Sequence, residues 1–361
     1  MRTMIFRAMA VGGVATLALG ACSSNATGGS AKGRKPFIGV ILPDTKSSAR
    51  WESQDRPALA AAFQAKKVKF DIQNAEGDKA RFQAIADQML KEGVNVLVIV
   101  DLDAASGGTV LAQARQRGVA TIDYDRLTLG GGADYYVSFN NVDVGDQQAQ
   151  GLAECLHGVP KPVVAELNGS PTDNNATLFA QGYDSVLNSL YTSGVMVKGP
   201  NESVTNWDNG VAGKDFEQML AASPNIGGVL VANDGMAQAV ITVLKAHHLN
   251  GKVQVTGQDA TVSGLQSILA GDQCMTVFKD SVTEANAGAE LAYDLATGRP
   301  ASSATAMVAD TVTGKLVKSV MLTPEAIVKS NVHDVIAAGA VTKEQLCTPQ
   351  YAAACEAAGI K

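Results

Sequence analysis

The sequence predicts an α/β fold made of two Rossmann-like lobes with parallel sheets, joined by a hinge of several strands. Short continuous runs of Val, Ile and Leu alternate with helical patterns, which is typical of a parallel sheet covered by helices on both faces. This alternation occurs in two successive stretches, and each is long enough to form a lobe. Further elements follow the second stretch, which indicates that the chain crosses between the lobes again.

The first stretch contains four predicted strands and three predicted helices. The strands are expected at 37–42, 68–72, 96–100 and 119–122. The helices are expected at 58–66, 79–91 and 104–117. Pro57 suits the first turn of the first helix, because the N–H that proline lacks has no partner within the helix at that position.

The second stretch repeats this pattern. Its strands are expected at 163–167, 195–197, 229–231, 253–256 and 275–278. Its helices are expected at 176–190, 213–222, 236–248 and 262–270. Each stretch therefore predicts one doubly covered sheet.

The remaining segments set the expected lobe boundaries. Strand-like residues 135–139 lead out of the first lobe and a helical segment at 144–156 opens the second, while a helix at 283–296 and strands at 306–312 and 315–321 come last. We therefore expect 36–139 with 281–308 to form the N-terminal lobe, and 140–280 with 309–361 to form the C-terminal lobe and tail. Two domains with a single linker are the alternative that the sequence leaves open.

The N-terminal residues predict a lipoprotein signal peptide at 1–21. Two arginines precede an apolar stretch that is shorter than the roughly 20 residues needed to span a bilayer. The stretch ends in LGAC, and small residues before Cys22 permit cleavage that leaves this cysteine as a lipidated N-terminus. Residues 22–35 then form a predicted flexible tether rich in Gly, Ser and Asn. An ordinary signal peptide with an incidental cysteine is the alternative.

Composition narrows the classes of partner and cofactor. The formal net charge is −6, and no basic stripe or basic aromatic segment suggests nucleic acid. Besides Cys22, the four cysteines of an exported chain allow two disulfides, among which we favour the local pair Cys347–Cys355. No CxxC motif occurs and the four histidines have no ligand spacing, so we expect neither a metal nor a cofactor.

Polar side chains follow seven of the predicted strands, at the edge where parallel α/β sheets bind ligands. An Asp or Asn at such a position often only caps the next helix, and a lone Trp is more often part of a core. The functional prediction therefore depends on the whole set converging. The candidate site residues are Lys46, Arg50, Trp51, Asp125, Arg126, Asp173, Asn175, Trp207, Asn233, Asp234, Asp259 and Lys279.

These residue types suit a sugar. Hydroxyl groups donate and accept hydrogen bonds together, so carboxylates and amides beside guanidinium and ammonium groups can saturate them, through bonds worth about 1.5–3 kcal/mol each. The C–H face of a pyranose is apolar, and an indole can lie flat against it. Trp51 and Trp207 come from opposite predicted lobes, so they could enclose the ring between them.

Five motifs carry a resemblance to a known family: TKSSARW (45–51), YDRL (124–127), GSPTDNNA (169–176), GQDA (257–260) and FKD (278–280). Together they resemble the periplasmic sugar-binding proteins of bacterial ABC transporters, in the branch of the xylose-binding and multiple-sugar-binding proteins. The resemblance implies two lobes joined by three crossover segments that close over one monosaccharide. It also implies sugar contacts from the twelve candidate residues.

The resemblance implies an extracytoplasmic binding protein that delivers an aldose of the xylose, glucose or galactose type to the membrane subunits of an ABC permease. We expect it to be a monomer, and the predicted lipid on Cys22 would anchor it to the outer face of the membrane. One departure concerns specificity. Ala180 follows Phe179 where the xylose-specific proteins have an arginine, so we expect a roomier site that tolerates hexoses.

Three other functions are possible for such a chain. A glycosidase would use two carboxylates, but Asp125 beside Arg126 should stay ionised and is a poor general acid. The ligand core of a sugar-responsive repressor would follow a helix-turn-helix, whereas here a signal peptide and tether are predicted. A sugar sensor that presents its closed form to a membrane receptor is the third, and the sequence does not discriminate it from a transport protein.

Overall fold

The computed structural model describes residues 35–360. The predicted signal peptide, Cys22 and the tether up to residue 34 lie outside the described residues. Within the described part, no helix combines the length and the apolar character that a membrane span requires.

Strands and helices alternate through most of the described chain. The strands are β1 (Phe37–Leu42), β2 (Lys69–Asn74), β3 (Val96–Ile99), β4 (Ala120–Tyr124), β5 (Tyr135–Phe139), β6 (Val163–Asn168), β7 (Val197–Ser203), β8 (Ile226–Val231), β9 (Gln254–Val255), β10 (Met275–Phe278), β11 (Ala306–Ala309), β12 (Leu316–Leu322) and β13 (Glu325–Val328). The helices are α1 (Arg56–Ala65), α2 (Lys79–Glu92), α3 (Ala104–Gln116), α4 (Asn141–Cys155), α5 (Asn174–Thr192), α6 (Asn209–Ala222), α7 (Asp234–Ala246), α8 (Val262–Ala270), α9 (Ser281–Thr297), α10 (Val332–Ala337), α11 (Lys343–Leu346) and α12 (Ala352–Ala357). Short turns of π-helix (Trp51–Asp55) and 3-10 helix (Thr205–Trp207) complete them.

The first lobe is built on a seven-stranded sheet in the order β11-β12-β5-β4-β3-β1-β2. All its neighbouring strands run parallel except the antiparallel pair β11–β12. Alternate residues of β1 serve two cores: Val40 packs in the cluster that includes residues of α1 and α9, and Ile41 packs in the cluster that includes residues of α2 and α3. Burial of both faces explains why β1 is apolar throughout.

The second lobe contains a parallel four-stranded sheet, in the order β7-β6-β8-β9, together with the antiparallel pair β10–β13. A bridge between Gln258 and Val277 links β10 to the end of the parallel sheet. The strand predicted at 195–197 lies instead at Val197–Ser203. It is a largely exposed edge strand with no apolar run to mark it.

The chain passes three times between the lobes: from β5 to α4, from β10 to α9, and from β12 to β13. The predicted α/β fold with a multi-strand hinge is confirmed, but one predicted boundary is wrong. The sequence predicts residues 309–361 in the second lobe, whereas β12 pairs in parallel with β5 and therefore extends the first sheet to Leu322. β12 also contributes Val317 to an apolar cluster with Leu127 and Tyr136 of the first lobe, which favours its place in this sheet.

Side-chain caps explain where several helices begin. Asp103, Asp173 and Asn233 each accept a backbone N–H from the first turn of the helix that follows. The favoured disulfide Cys347–Cys355 is present in the tail, and a second disulfide joins Cys155 at the end of α4 to Cys274 next to β10. Residues 35–360 contain no cluster of three or more His, Cys, Asp or Glu side chains arranged to hold a metal ion.

Candidate functional site

The structure brings ten of the twelve candidate residues together around one cavity of about 300 Å³ between the lobes. The ten residues are Arg50, Trp51, Asp125, Arg126, Asp173, Asn175, Trp207, Asn233, Asp259 and Lys279. They come from segments that follow strands in both lobes, as the sequence predicted.

Local backbone geometry at this cavity is unusual. Asp125, Trp207 and Asp259 have φ angles of +62°, +56° and +100°, a region that side chains other than glycine seldom adopt. Trp51 starts a π-helical turn, a rare conformation that is frequent at functional sites. Strained backbone persists only where the surrounding structure enforces it, so its concentration here supports a functional cavity.

Arg50 is the most constrained side chain of the site. Its Nε and Nη2 donate to the two carboxylate oxygens of Asp55 at 2.8 and 2.7 Å, and its Nη2 also donates to Glu284 at 2.6 Å. Burial alone would lower the pKa of Arg50, but Asp55 and Glu284 raise it well above its usual value. The guanidinium is thus a charged group held in a single orientation at the cavity wall.

Asp125 connects the cationic groups of the cavity. Its Oδ2 accepts from Lys279 Nζ at 2.6 Å and from Arg50 Nη1 at 3.1 Å, and its Oδ1 accepts from Asn175 at 3.1 Å. Burial acts to raise the pKa of Asp125, but Lys279 and Arg50 outweigh it and lower that pKa to about 2. Asp125 is therefore ionised at neutral pH and can accept hydrogen bonds from hydroxyl groups.

One indole from each lobe lines the cavity. The Nε1 of Trp51 donates to Ser47 at 3.1 Å, and the guanidinium of Arg50 lies 4.6 Å from the centre of the Trp51 ring. The Nε1 of Trp207 donates to Asp173 at 3.1 Å, and its ring meets that of Phe179 edge-on at 6.4 Å. Both indoles thus combine an apolar face with a fixed polar edge.

Hydrogen bonds join the lobes around the cavity, so the structure is a closed arrangement. Ser48 of the first lobe donates to Asp259 of the second at 2.7 Å. Asn233 donates to the carbonyl oxygen of Ser47 at 2.9 Å. These contacts can form only when the two lobes approach each other.

Two candidate residues lie outside the cavity. Asp234 is fully buried at the start of α7, where it accepts from the Thr261 backbone at 2.8 Å and from Gln273 at 2.9 Å. Burial, opposed by the bond from Gln273, raises the pKa of Asp234 to about 7. It organises the loop before α8, so its place in the set of cavity residues is wrong. Lys46 is exposed and lines a separate outer groove.

Ala180, on which the expected tolerance for hexoses depends, lies just outside the cavity lining. Ala180 packs against the hydrophobic core of the second lobe and is not among the cavity residues. Phe179, its neighbour on α5, lines the cavity instead. The tolerance for hexoses therefore stays a prediction.

Sequence reasoning missed four lining residues and two residues behind Arg50. Ser47 and Ser48 belong to the TKSSARW motif and Gln258 to GQDA, so the motifs contained a signal for them. Phe179 looked like an ordinary core residue of a helix. Asp55 lies five positions after Arg50, whereas Glu284 is distant in sequence and lies within a helical pattern, so only the fold brings Glu284 onto Arg50.

Comparisons with known proteins show the family to which this chain is related. A model of the periplasmic binding protein domain matches residues 38–300. The D-xylose-binding periplasmic protein of Escherichia coli is 33% identical over 311 residues, which cover 85% of this chain and 91% of that protein. The multiple sugar-binding periplasmic protein SbpA of Azospirillum brasilense is 38% identical over 68% of this chain and 73% of its own length.

A solved structure has the same fold. The carbohydrate transporter solute binding protein of Chloroflexus aurantiacus, crystallised in complex with D-glucose, superposes with a TM-score of 0.78 at 27% identity. The match covers 86% of this chain and 98% of that one.

Proposed function

This chain belongs to the periplasmic binding protein family, in its xylose-binding and multiple-sugar-binding branch, and we propose that it captures a free aldose and delivers it to an ABC permease. The observation that carries the proposal is the convergence of both tryptophans and three ion-pairing residues, Arg50, Asp125 and Lys279, on one small interlobe cavity. The sugar is of the xylose, glucose or galactose type, in keeping with the D-xylose-binding and D-glucose-bound relatives.

The charges of the cavity favour a neutral ligand. Three cationic side chains (Arg50, Arg126 and Lys279) stand beside three carboxylates (Asp125, Asp173 and Asp259). An anionic ligand such as a sugar phosphate would place its charge next to these acidic groups without an excess of cations to offset it. A ligand with several hydroxyl groups can instead use both signs of charge at once.

Capture works through closure of the lobes. A sugar that contacts groups on both lobes binds the closed form better than the open form, so it shifts the open–closed equilibrium towards closure. Three crossings between the lobes guide this motion. The closed shape is then the signal that the permease recognises.

Binding rather than catalysis is the activity of this family. The geometry gives a reason: a glycosidase needs a carboxylic acid that can donate a proton, whereas Asp125 is kept ionised by Lys279 and Arg50. No chemical step is required for capture and release.

A thermal-shift panel tests the proposal. Xylose, glucose, galactose, arabinose, ribose and sugar alcohols are each added to the wild-type protein, and at least one aldose should raise its melting temperature. Trp207→Ala and Asp259→Ala should abolish the shift, whereas Lys46→Ala, outside the cavity, should keep it. Wild-type shifts in both cavity variants would refute the assigned site.

The proposal also includes a lipid anchor on Cys22, which holds this extracytoplasmic protein at the outer face of the membrane. The LGAC sequence supports it. A Cys22→Ala variant should lose incorporation of labelled palmitate. Unchanged lipid labelling in that variant would exclude Cys22 as the lipidation site.

A further inference from the structure

A second, larger opening adjoins the sugar cavity. This outer groove has a volume of about 920 Å³ and lies against the cavity wall. Its polar lining includes Asp44, Lys46, Glu76, Lys79 and Asp208. The cavity and the groove share four residues, Ser47, Arg126, Asp173 and Trp207, which form the wall between them.

Asp173 holds this wall together. Its Oδ2 lies 2.9 Å from Nε of Arg126 and accepts from Nε1 of Trp207 at 3.1 Å. Its Oδ1 accepts the backbone N–H of Asn175 and so caps α5. Arg126 belongs to the first lobe and Asp173 to the second, so the ion pair forms when the lobes close.

The partners of Asp173 are themselves fixed. Arg126 donates from Nη1 to the carbonyl oxygen of Asp101 at 3.0 Å. The indole of Trp207 lies against Gly169, where a Cβ atom would overlap the ring. Arg126, Asp173 and Trp207 are each less than 10% exposed. A wall that is buried from both sides leaves no passage for a ligand that extends beyond one ring.

We propose that Asp173 determines the size class of the ligand: by holding Arg126 and Trp207 it seals the cavity from the outer groove, so that the closed site accepts single monosaccharide units and rejects sugars extended into the groove. This inference rests on the proposed function. Asp173 is here a positioning residue that acts through Arg126 and Trp207. Its ion pair with Arg126 and its hydrogen bonds from Trp207 and the Asn175 backbone leave its carboxylate little capacity for the sugar itself.

The groove could hold a second sugar unit if the wall formed by Arg126, Asp173 and Trp207 were opened. Charged and amide side chains line it, and such groups suit the hydroxyls of a second sugar unit. Breaking the Arg126–Asp173 pair would join the cavity to this polar space. A disaccharide could then place one ring in the cavity and the other in the groove.

Calorimetric titration of the wild type and Asp173→Ser tests the proposal, because serine keeps the helix cap and removes the carboxylate. The ligands are the aldose that the wild type binds, its two methyl glycosides, and cellobiose, maltose and lactose. The wild type should bind the free aldose at least about 100-fold more tightly than any disaccharide, since accommodating one breaks a buried ion pair. Asp173→Ser should lower this preference by at least about tenfold for one linkage or more.

Asp78→Ser is the matched control, because Asp78 caps α2 in the same way and lines neither the cavity nor the groove. It should keep the wild-type preference. Arg126→Gln removes the same ion pair without touching the cap, and replaces Asp173→Ser if that variant lacks a cooperative melting transition. The inference would be overturned, with the proposed function intact, if Asp173→Ser and Arg126→Gln kept the wild-type preference for the free aldose. The same would hold if the wild type bound disaccharides as tightly as the free aldose. Absence of binding to every sugar would overturn the proposed function as well.

Discussion

The guanidinium Nη1 of Arg50 lies 3.1 Å from the carboxylate Oδ2 of Asp125, although the two residues are 75 positions apart and both are buried. Asp55 and Glu284 bind the other side of the same guanidinium. Arg50 is therefore a structural centre of the first lobe as well as a wall of the cavity.

Arg50→Ala should destabilise the protein by about 3–5 kcal/mol, because it leaves three buried carboxyl groups without their common partner. Urea unfolding measures this loss, and sugar binding should disappear with it. Arg117→Ala, which removes an exposed pair with Asp87, is the control and should cost about 1 kcal/mol or less. Equal losses in the two variants would show that the Arg50 cluster is not a special source of stability.

Glu284→Gln should change how stability depends on pH. Burial, opposed by Arg50, raises the pKa of Glu284 from 4.5 to about 8. Its contribution to the free energy of unfolding is therefore complete below about pH 4.5 and is lost as the pH rises to about 8, by up to about 1.4 kcal/mol per pH unit. The stability of Glu284→Gln relative to wild type should accordingly rise across this window.

Urea titrations at several pH values measure that trend. Glu290→Gln, on the same helix but half exposed, should keep the wild-type slope. A constant difference between Glu284→Gln and the wild type from pH 5 to pH 8 would contradict the assignment.

Gly169→Ala should weaken sugar binding although glycine has no side chain to contact a ligand. A methyl group at this position overlaps the indole of Trp207, which must then move out of the cavity wall. Calorimetry should show an affinity at least about tenfold lower. Gly213→Ala on α6 meets its nearest neighbour at an ordinary 3.5 Å and should bind like the wild type. Wild-type affinity in Gly169→Ala would argue against Trp207 as part of the site.

The two disulfides should differ in their effect on stability. Cys155–Cys274 closes a loop with a sequence separation of 119, and Cys347–Cys355 one of 8. Chain-entropy arithmetic gives about 5 and about 2.5 kcal/mol respectively. Unfolding of the Cys155→Ala/Cys274→Ala and Cys347→Ala/Cys355→Ala double variants compares them. A larger loss in the tail variant would contradict the entropic argument.

Much of the fold could be predicted because strands that are buried on both faces of a parallel sheet appear in the sequence as continuous apolar runs. The boundary at β12 could not, since Leu316–Leu322 is half exposed and its partner β5 lies far back in the chain. The sequence predicts strand β7 at the wrong residues for a related reason: an exposed edge strand carries no apolar pattern.

The site was predictable where ligand-facing residues follow strands and fall in motifs. Asp234 also follows a strand, but its side chain turns into the protein to meet Thr261 and Gln273. The direction of the Asp234 side chain depends on the conformation of the loop before α8, and the residues next to Asp234 in the sequence do not determine that conformation. Glu284 is the opposite case: it lies in the first turn of a helix, and only the return of α9 to the first lobe brings it to Arg50.

Isothermal titration with D-xylose, D-glucose and D-galactose tests the central claim most directly, namely that one aldose binds in the cavity between Trp51 and Trp207. The account predicts saturable binding of at least one of them at one sugar per chain, with a dissociation constant near or below about 1 μM, equivalent to about −8 kcal/mol. The Asp125→Ala variant should release no heat of sugar binding. Folded wild-type protein that releases no binding heat with any of these sugars, or that binds them equally well without Asp125, would contradict it.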